Sequence, residues 1–501
     1  MIDASEPASP GLGLTRLLPR SSRLRPLHFV LFLVAVLLIQ SALRADTIVL
    51  KNGRRINAES VSEEGDKVSY ESEGGRVSLS KSLVERIEKN DLAPQSQPRS
   101  PSAGPSAAAL EKALSLEISV PQKDVEGIVH NGQVDEKRLE LLASLAEKGD
   151  MEAKTAVNAY LVAAAFEAQH DRLAQANRWA EEALRLSTVD LNALLVVAQI
   201  DILRRQFSEA LNHLLLAQSL QSDSPDVLTL LGYAYYYLEG PEKANRFWKQ
   251  AYTLRPERKL QELMRQTEIE EQVEARLAQS QSSHFVLNTE GSSISESFRA
   301  SLLDTLEQQF RDLESELDYD PRDPIVVTLY PAQDFKDITR APGWAGAVND
   351  GKIRVPVRGL SSLTPQLARV LKHEMTHSFV HGQTQGHCPT WFNEGLAQVE
   401  SGEVPSLPGA GLTVLYGESR QIPLSQLEGS FMQLNSTLAS IAYAESQATV
   451  AMIRAQYGAY QLPQLLKLLG EGKSMAEALQ RALGIDYPEL ETELARYLTQ
   501  R

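Results

Sequence analysis

The sequence predicts a multidomain fold: a small all-β module, an all-α repeat array and a C-terminal α+β domain. Three observations carry this prediction. Apolar and polar residues alternate between about residues 46 and 90, which is the period of half-buried strands. Alanines and leucines then recur at intervals of 34 residues, which indicates helical repeats. After residue 284, strand patterns come first and helical patterns follow.

Length, charge and cysteine content limit the classes of function. A chain of 501 residues is too long for one hydrophobic core. The net charge of −15 argues against general nucleic-acid binding, because neutralising phosphates needs clustered Lys and Arg. Cys388 is the only cysteine. No intramolecular disulfide can therefore form, and stability must come from packing or from a metal.

Residues 1–45 have the pattern of a secretory signal peptide. Several arginines precede an apolar run from Phe29 to Ile39, and small residues follow at Ala42 and Ala45. The run is shorter than the roughly 20 residues that a membrane span needs. We therefore expect cleavage after Ala45 and export to the periplasm or cell envelope. An uncleaved anchor in the inner membrane is the alternative.

Residues 46–90 are predicted to form the small β module. Apolar residues alternate around Ile48, Val68 and Val77, and Asn52-Gly53 is one of several turn signals. The segment resembles the SH3-like or barrel modules that are attached to exported bacterial proteins. Residues 91–130 follow as a flexible linker, because their first half is rich in Pro, Ser, Ala and Gln.

Residues 131–281 are predicted to form the repeat domain. Three series of residues are spaced 34 apart: Ala176, Ala210 and Ala244; Ala183, Ala217 and Ala251; Leu186, Leu220 and Leu254. Three helix pairs with small residues at the crossings, closed by Pro256, resemble tetratricopeptide repeats. We expect helices to continue to about Gln281. The resemblance implies a groove that binds a partner protein or peptide; a spacer or a structural cap is the alternative.

Residues 282–501 are predicted to form the α+β domain. The stretches "HFVL" and "PIVVTLY" read as strands, and the segment from Ile294 to Leu317 reads as a helix. Two further short strands surround the turn Asp350-Gly351. After the histidine helix the pattern predicts only helices, around residues 391–401, 445–457, 462–469, 475–483 and 489–498.

The stretch "RVLKHEMTHSFVHG" places two histidines in an amphipathic helix. Thr364 and Pro365 are the expected N-cap and first-turn residues, and Gly382 is the expected stop. Positions four apart lie about 40° apart around a helix, so His373 and His377 can converge on one metal ion. Glu374 then lies beside the metal and can accept a proton from water.

A third ligand is needed, and the sequence offers His381, His387 and Glu394. His381 lies a further turn along the same helix, and a metzincin pattern is excluded because Val380 and Gln383 stand where Gly and His are required. Glu394 lies in "PTWFNEGLAQVE", a helix that Thr390 is expected to cap and Gly402 to end. Two histidines and one glutamate leave an open position, as a catalytic zinc requires.

Cys388 is a weaker candidate ligand. It lies close to the histidine motif in sequence. A catalytic zinc with an activated water usually takes His and carboxylate ligands, so Glu394 is preferred.

The residues HEMTH with a downstream WFNEGLA resemble the gluzincin metallopeptidases, and most closely the bacterial peptidase MA-like domains. The resemblance covers about residues 284–501. It implies a thermolysin-like core in which Zn²⁺ is held by His373, His377 and Glu394, with Glu374 as general base. The sequence departs from thermolysin at Gln398, where an Asp would support a histidine.

The resemblance also implies a substrate-binding edge strand near residues 343–348, to which an extended peptide adds by main-chain pairing. A peptidase further needs a donor for the oxyanion of the tetrahedral intermediate. Tyr443 is the candidate for this catalytic role and His387 is a weaker one. Packing in the core is the alternative role of Tyr443.

The function predicted from these patterns is an exported zinc-dependent metalloendopeptidase that acts on proteins or peptides. The residue types needed for catalysis lie after residue 284, so the repeats are predicted to recruit a substrate or partner without contributing to the chemistry. The rival hypothesis is a non-catalytic binding or assembly factor of the cell envelope, with a structural or vestigial metal site.

Overall fold

The computed structural model describes residues 46–50, 55–58, 61–64, 67–72, 75–81, 84–88, 127–130, 132–170, 172–291, 294–339, 347–357, 362–405, 407, 409–431 and 434–500. The predicted signal peptide and residues 91–126 of the predicted linker lie outside them. The described chain is mostly helical, with small sheets. None of its helices combines the length and the apolar character that a membrane crossing requires.

The described parts of residues 46–88 form six strands, in two antiparallel three-stranded sheets. One sheet has the order β2 (Arg55–Ala58), β1 (Asp46–Leu50), β6 (Val84–Glu88), and the other has the order β3 (Val61–Glu64), β4 (Lys67–Ser72), β5 (Gly75–Ser80). The predicted strands around residues 48, 68 and 77 are confirmed. The turn signal at residues 52–53 lies outside the described residues, and the SH3-like classification stays a prediction.

A helical array follows a short hairpin of β7 (Val129–His130) and β8 (Gln133–Val134). Its helices are α1 (Glu136–Leu145), α2 (Asp150–Gln169), α3 (Leu173–Leu186), α4 (Leu191–Leu203), α5 (Phe207–Leu220), α6 (Pro225–Leu238), α7 (Pro241–Leu254) and α8 (Arg258–Glu274). Helices α3, α5 and α7 begin at residues 173, 207 and 241, which is the 34-residue period of the sequence.

Small residues lie at the crossings of these helices, as the sequence predicts. The alanines of both 34-residue series are fully buried. A Cβ on Gly232 of α6 would lie 2.1 Å from Nε1 of Trp248 on α7, so only glycine permits that contact. The expectation that helices continue to about Gln281 is wrong, because α8 ends at Glu274 and β9 (Leu277–Gln281) follows.

A five-stranded sheet forms the base of the C-terminal region, in the order β12 (Val348–Asn349), β13 (Ile353–Val357), β11 (Ile325–Pro331), β10 (Phe285–Glu290), β9. The three inner strands are parallel, and both edge strands are antiparallel to their neighbours. Helices α9 (Glu296–Leu317) and α10 (Ala332–Thr339) connect the strands. Gly351, with φ of 106°, makes the predicted turn between β12 and β13.

Among the described residues after β13, seven further α-helices follow: α11 (Pro365–Thr384), α12 (Thr390–Ser401), α13 (Gly409–Gly417), α14 (Ser436–Tyr457), α15 (Gln461–Gly470), α16 (Met475–Ala482) and α17 (Tyr487–Thr499). The sequence did not predict α13. Apolar residues of the sheet, of α9 and of these helices share one hydrophobic core. Helix α11 lies within that core, where the ring of Phe379 meets the ring of Phe310 edge to face at a centroid distance of 5.0 Å.

A buried ion network joins the helical array to the sheet. Glu270 of α8 accepts hydrogen bonds from Arg354 Nη1 at 2.9 Å and from Lys352 Nζ at 3.2 Å. Arg354 also donates through Nε to Asp350 Oδ2 at 3.1 Å and through Nη2 to Tyr236 Oη of α6 at 2.9 Å. All these side chains are buried. Removing one partner would leave a buried charge unpaired, at a cost of about 3–5 kcal/mol.

Candidate metal centre

Helix α11 carries the two histidines and begins as predicted. The backbone N–H of Leu367 donates to Thr364 Oγ1 at 3.1 Å, which is an N-cap bond. The helix is buried on most of its faces rather than on one stripe. It ends at Thr384 with Gln385 in the left-handed region, so the prediction that Gly382 stops it is wrong. Gly382 instead makes room for Tyr319, whose Oη would lie 2.5 Å from a Cβ there.

Helix α12 carries Glu394 and ends at Gly402, which has φ of 67° as predicted. The prediction that Thr390 caps it is wrong, because Pro389 is the N-cap residue and makes no side-chain bond. Gly395 lets α12 approach α14 closely, since a Cβ there would lie 2.4 Å from the backbone oxygen of Ser446. This crossing fixes the position of the neighbouring Glu394.

The three predicted ligands converge. Their ligand atoms all lie within 4.8 Å of one another. Glu394 Oε2 lies 3.7 Å from His373 Nε2 and 4.0 Å from His377 Nε2, and the two imidazole rings are nearly perpendicular at a centroid distance of 4.8 Å. All three side chains are buried. Within the described residues, this is the one group of such side chains with spacing that could hold a metal ion.

Two further side chains support the histidines, and the sequence reasoning missed both. His377 Nδ1 and Asn393 Oδ1 are 2.9 Å apart. Asn393 Oδ1 can only accept, so Nδ1 carries the proton and Nε2 presents its lone pair to the cluster. His373 Nδ1 lies 3.4 Å from Glu403 Oε1 without forming a hydrogen bond. The carboxylate beside the first histidine is therefore that of Glu403, beyond the end of α12, and not one at the position that Gln398 holds.

The buried nitrogen atoms fit a metal ion. Within the described chain, His373 Nε2 and His377 Nε2 have no hydrogen-bond partner, and leaving a buried polar atom in that state costs about 1–3 kcal/mol. Burial, and then the neighbouring His373 ring, lowers the pKa of His377 to about 3. The ring is therefore neutral at pH 7, which is the form that binds a metal.

The other candidate ligands are placed elsewhere. His381 lies one turn beyond His377 on α11, and burial lowers the pKa of its imidazole. His387 Nδ1 lies 3.1 Å from the carbonyl oxygen of Thr384. Cys388 packs against the apolar core, and burial raises the pKa of its thiol. None of the three belongs to the convergent group.

Tyr443 lies on α14, three residues before the point where that helix meets Gly395. Its ring is 3% exposed and meets the ring of Phe431 edge to face at 5.2 Å. This contact accounts for packing of the ring in the core. The role of Tyr443 as oxyanion donor stays a prediction.

The predicted substrate edge is described only in part. Val348 and Asn349 form β12, which is an edge strand of the five-stranded sheet. Residues 343–346 of the predicted segment lie outside the described residues. Asn349 is buried beside α11, where its Nδ2 donates to the carbonyl oxygen of Glu374 at 2.6 Å.

Residues 305–500 match a family model described as the Peptidase MA superfamily. The matched region begins within α9 and contains α11, α12 and the ligand cluster. It therefore supports a peptidase MA-like domain at the C-terminal end of the chain. A search of curated proteins finds no match to the chain.

Proposed function

We propose that the chain is an exported zinc-dependent metalloendopeptidase of the gluzincin type. One observation carries the proposal: a buried cluster of His373, His377 and Glu394, formed by two adjacent helices, within the region that matches the Peptidase MA superfamily. Two imidazoles and one carboxylate are the ligands of a catalytic zinc, which keeps one position open. When bound, the ion would supply a Lewis acid that polarises the scissile carbonyl and lowers the pKa of a water molecule.

Glu374 is the proposed general base. It lies between the two histidines on α11 and is buried. In this role its carboxylate takes a proton from the attacking water and passes it to the departing amine. Tyr443 is the proposed donor to the developing oxyanion. Asn393 orients the imidazole of His377 through a hydrogen bond, so that Nε2 faces the ion. Glu403 lies 3.4 Å from His373 Nδ1 and is the proposed partner of that ring.

The proposed substrate is an extended segment of a protein or peptide. Strand β12 is an edge of the sheet next to α11, and an edge strand can pair with an added strand through main-chain hydrogen bonds. The helical array, which we infer to be tetratricopeptide repeats, is the proposed contact for a protein substrate or partner. The signal pattern of residues 1–45 supports the proposal that this activity lies in the periplasm or cell envelope, or at the inner membrane if the segment is not cleaved.

Turnover by Glu374→Gln tests the proposed chemistry. Gln is nearly isosteric with Glu, so the helix and the metal ligands are undisturbed while the basic carboxylate is lost. We expect zinc content to be unchanged and cleavage of an unfolded protein substrate to fall by about 10²- to 10⁴-fold. Glu314→Gln is the control, because Glu314 is exposed on α9 and outside the cluster.

A Glu374→Gln protein that keeps zinc and cleaves at the wild-type rate would contradict the proposed roles. It would mean that Glu374 is not the general base of that cleavage. Absence of any cleavage by the zinc-loaded wild-type protein would favour the rival function, a non-catalytic binding or assembly factor of the cell envelope with a structural metal site.

A further inference from the structure

Asn349 connects the edge strand β12 to the helix that carries the proposed general base. Its Nδ2 donates to the carbonyl oxygen of Glu374 at 2.6 Å and to Ser378 Oγ at 2.7 Å. Its Oδ1 accepts from the N–H of Gly351 at 3.2 Å. The amide can take only this orientation, because the Glu374 carbonyl only accepts and the Gly351 N–H only donates. Asn349 therefore sets the distance between the sheet edge and α11 at Glu374.

A residue of the helical array completes this arrangement. Arg205 lies in the turn between α4 and α5, and its Nη1 donates to Asn349 Oδ1 at 3.3 Å. Its backbone is left-handed, with φ of 58°, a conformation that is uncommon for residues other than glycine. The turn is held by two backbone bonds, from Arg205 N to Ile202 O at 3.0 Å and from Gln206 N to Asp201 O at 2.8 Å. The chain thus keeps an arginine where glycine would fit with less strain, and the arginine reaches the β12–β13 hairpin.

The hairpin that carries Asn349 is fixed to the helical array on a second side. A Cβ on Gly351 would lie 2.6 Å from Cε1 of Tyr237, so the ring of Tyr237 on α6 lies directly against the turn. The buried network around Glu270 holds Lys352 and Arg354 of the same hairpin. The helical array can therefore determine the position of the hairpin and, through the hairpin, the position of α11.

We propose that Arg205 is a positioning residue for the peptidase site, acting through Asn349 on the part of α11 that carries Glu374. The helical array then contributes to the chemistry as well as to any partner binding. This inference rests on the proposed function, because the group that it positions is the proposed general base. It differs from the sequence-based prediction that the repeats take no part in the chemistry.

The expected consequence is a change in turnover rather than in substrate binding. Without Arg205, Asn349 keeps the single N–H of Gly351 as partner for its oxygen, and the hairpin and helix can shift relative to each other. A misplacement of about 1 Å at a reacting group can cost as much as about 100-fold in rate. Among the described residues, Arg205 makes no hydrogen bond to a proposed metal ligand, and its positive charge adds to burial in lowering the pKa of His377. Removing that charge does not disfavour a bound cation, so zinc binding should be retained.

The kinetic test compares Arg205→Ala, Arg205→Lys, Asn349→Ala and the double variant in the full-length protein. We expect Arg205→Ala to lower kcat about 10- to 100-fold while KM and zinc content stay near wild type. Arg205→Lys should be intermediate, because lysine keeps a cationic donor. The double variant should be no slower than Asn349→Ala, since both residues act through one contact. Arg322→Ala is the control; Arg322 also joins the array to the C-terminal region, through Glu209 at 3.0 Å, but does not contact Asn349.

Hydrogen–deuterium exchange tests the same proposal without relying on activity. In an α-helix the carbonyl of Glu374 also accepts the N–H of Ser378, so loosening at this point should speed exchange of the amides of residues 374–378. We expect faster exchange in Arg205→Ala and Asn349→Ala and wild-type exchange in Arg322→Ala. The proposal would be overturned if Arg205→Ala exchanged these amides at the wild-type rate, or if its kcat equalled that of Arg322→Ala. If the wild-type protein lacks Glu374-dependent turnover, the proposed function fails, and exchange alone decides whether Arg205 positions the helix.

Discussion

Gly395→Ala is expected to weaken zinc binding although it changes no ligand. A Cβ at this position would lie 2.4 Å from the backbone oxygen of Ser446 and 2.6 Å from Cγ2 of Val450. An ordinary contact needs about 3.4 Å, and a backbone oxygen cannot rotate away. Helices α12 and α14 must therefore separate by about 1 Å, and overpacking of this kind costs about 1–3 kcal/mol of stability.

The same displacement moves Glu394, the neighbouring residue on α12. Zinc–ligand distances vary by only about 0.2 Å in well-formed sites, and the expected shift of Glu394 is several times larger. Loss of a side chain that supports a ligand lowers zinc affinity by roughly 10- to 100-fold. Displacement of the ligand itself should lower the affinity at least as much. The assay is a zinc titration against a competing chelator, together with a thermal melt of the metal-free protein. Gly417→Ala is the matched control, because a Cβ there meets nothing within 4 Å.

Zinc affinity equal to that of the wild type, in a Gly395→Ala protein with a lowered melting temperature, would refute this reasoning. It would mean that Glu394 does not bind the ion, or that its position does not depend on the crossing of α12 and α14. A Gly417→Ala protein that lost zinc to the same extent would also refute it.

Three further predictions follow from the same structure. Chelation should lower the melting temperature of the full-length protein, because ligands from two helices join at one ion; identical melts with and without zinc would contradict this. Deleting residues 156–281 should prevent cooperative folding of the remainder, because it removes strand β9 and the buried partner Glu270 of Arg354; a sharp thermal melt of the truncated protein would show otherwise. Burial raises the pKa of Glu445 to about 8. Between about pH 4.5 and pH 8 this carboxyl is therefore neutral in the folded protein and ionised in the unfolded chain. The free energy of unfolding falls as pH rises through this range, by up to about 1.4 kcal/mol per pH unit. Glu445→Gln should therefore stabilise the protein at pH 8 and not at pH 4.5, as measured by urea unfolding at both pH values.

The sequence predicted the convergent His-His-Glu cluster because its geometry is local. Two histidines four residues apart lie on one face of any helix, and a short loop after α11 leaves few places for the next helix. Convergence of His373, His377 and Glu394 then follows. The 34-residue period was equally local, since it repeats one helix pair.

The errors arose where a residue serves a distant contact. Glycine commonly ends helices, but Gly382 is needed because its missing side chain makes room for Tyr319, which lies 63 positions earlier in the chain. The sequence of strand β9, LAQSQ, lacks β-branched residues and so favours helix, but pairing with β10 overrides that propensity.

The supporting residues could not be found from spacing. Glu403 reaches His373 because the chain reverses after Gly402, where the N–H of Glu403 donates to the carbonyl of Gln398 at 3.0 Å. Asn349 and Arg205 meet across 144 positions of sequence. Only the packing of the array against the sheet brings such residues together.

The metal content of three variants tests the central claim most directly. The full-length wild-type protein, Glu374→Gln and Glu394→Gln are each loaded with zinc, dialysed and analysed for metal. We predict zinc equimolar with chain in the wild type and in Glu374→Gln, and a clear loss of zinc in Glu394→Gln, because only Glu394 is a proposed ligand. Equal zinc in all three proteins, or loss of zinc in Glu374→Gln alone, would contradict the assignment of His373, His377 and Glu394 as the metal centre.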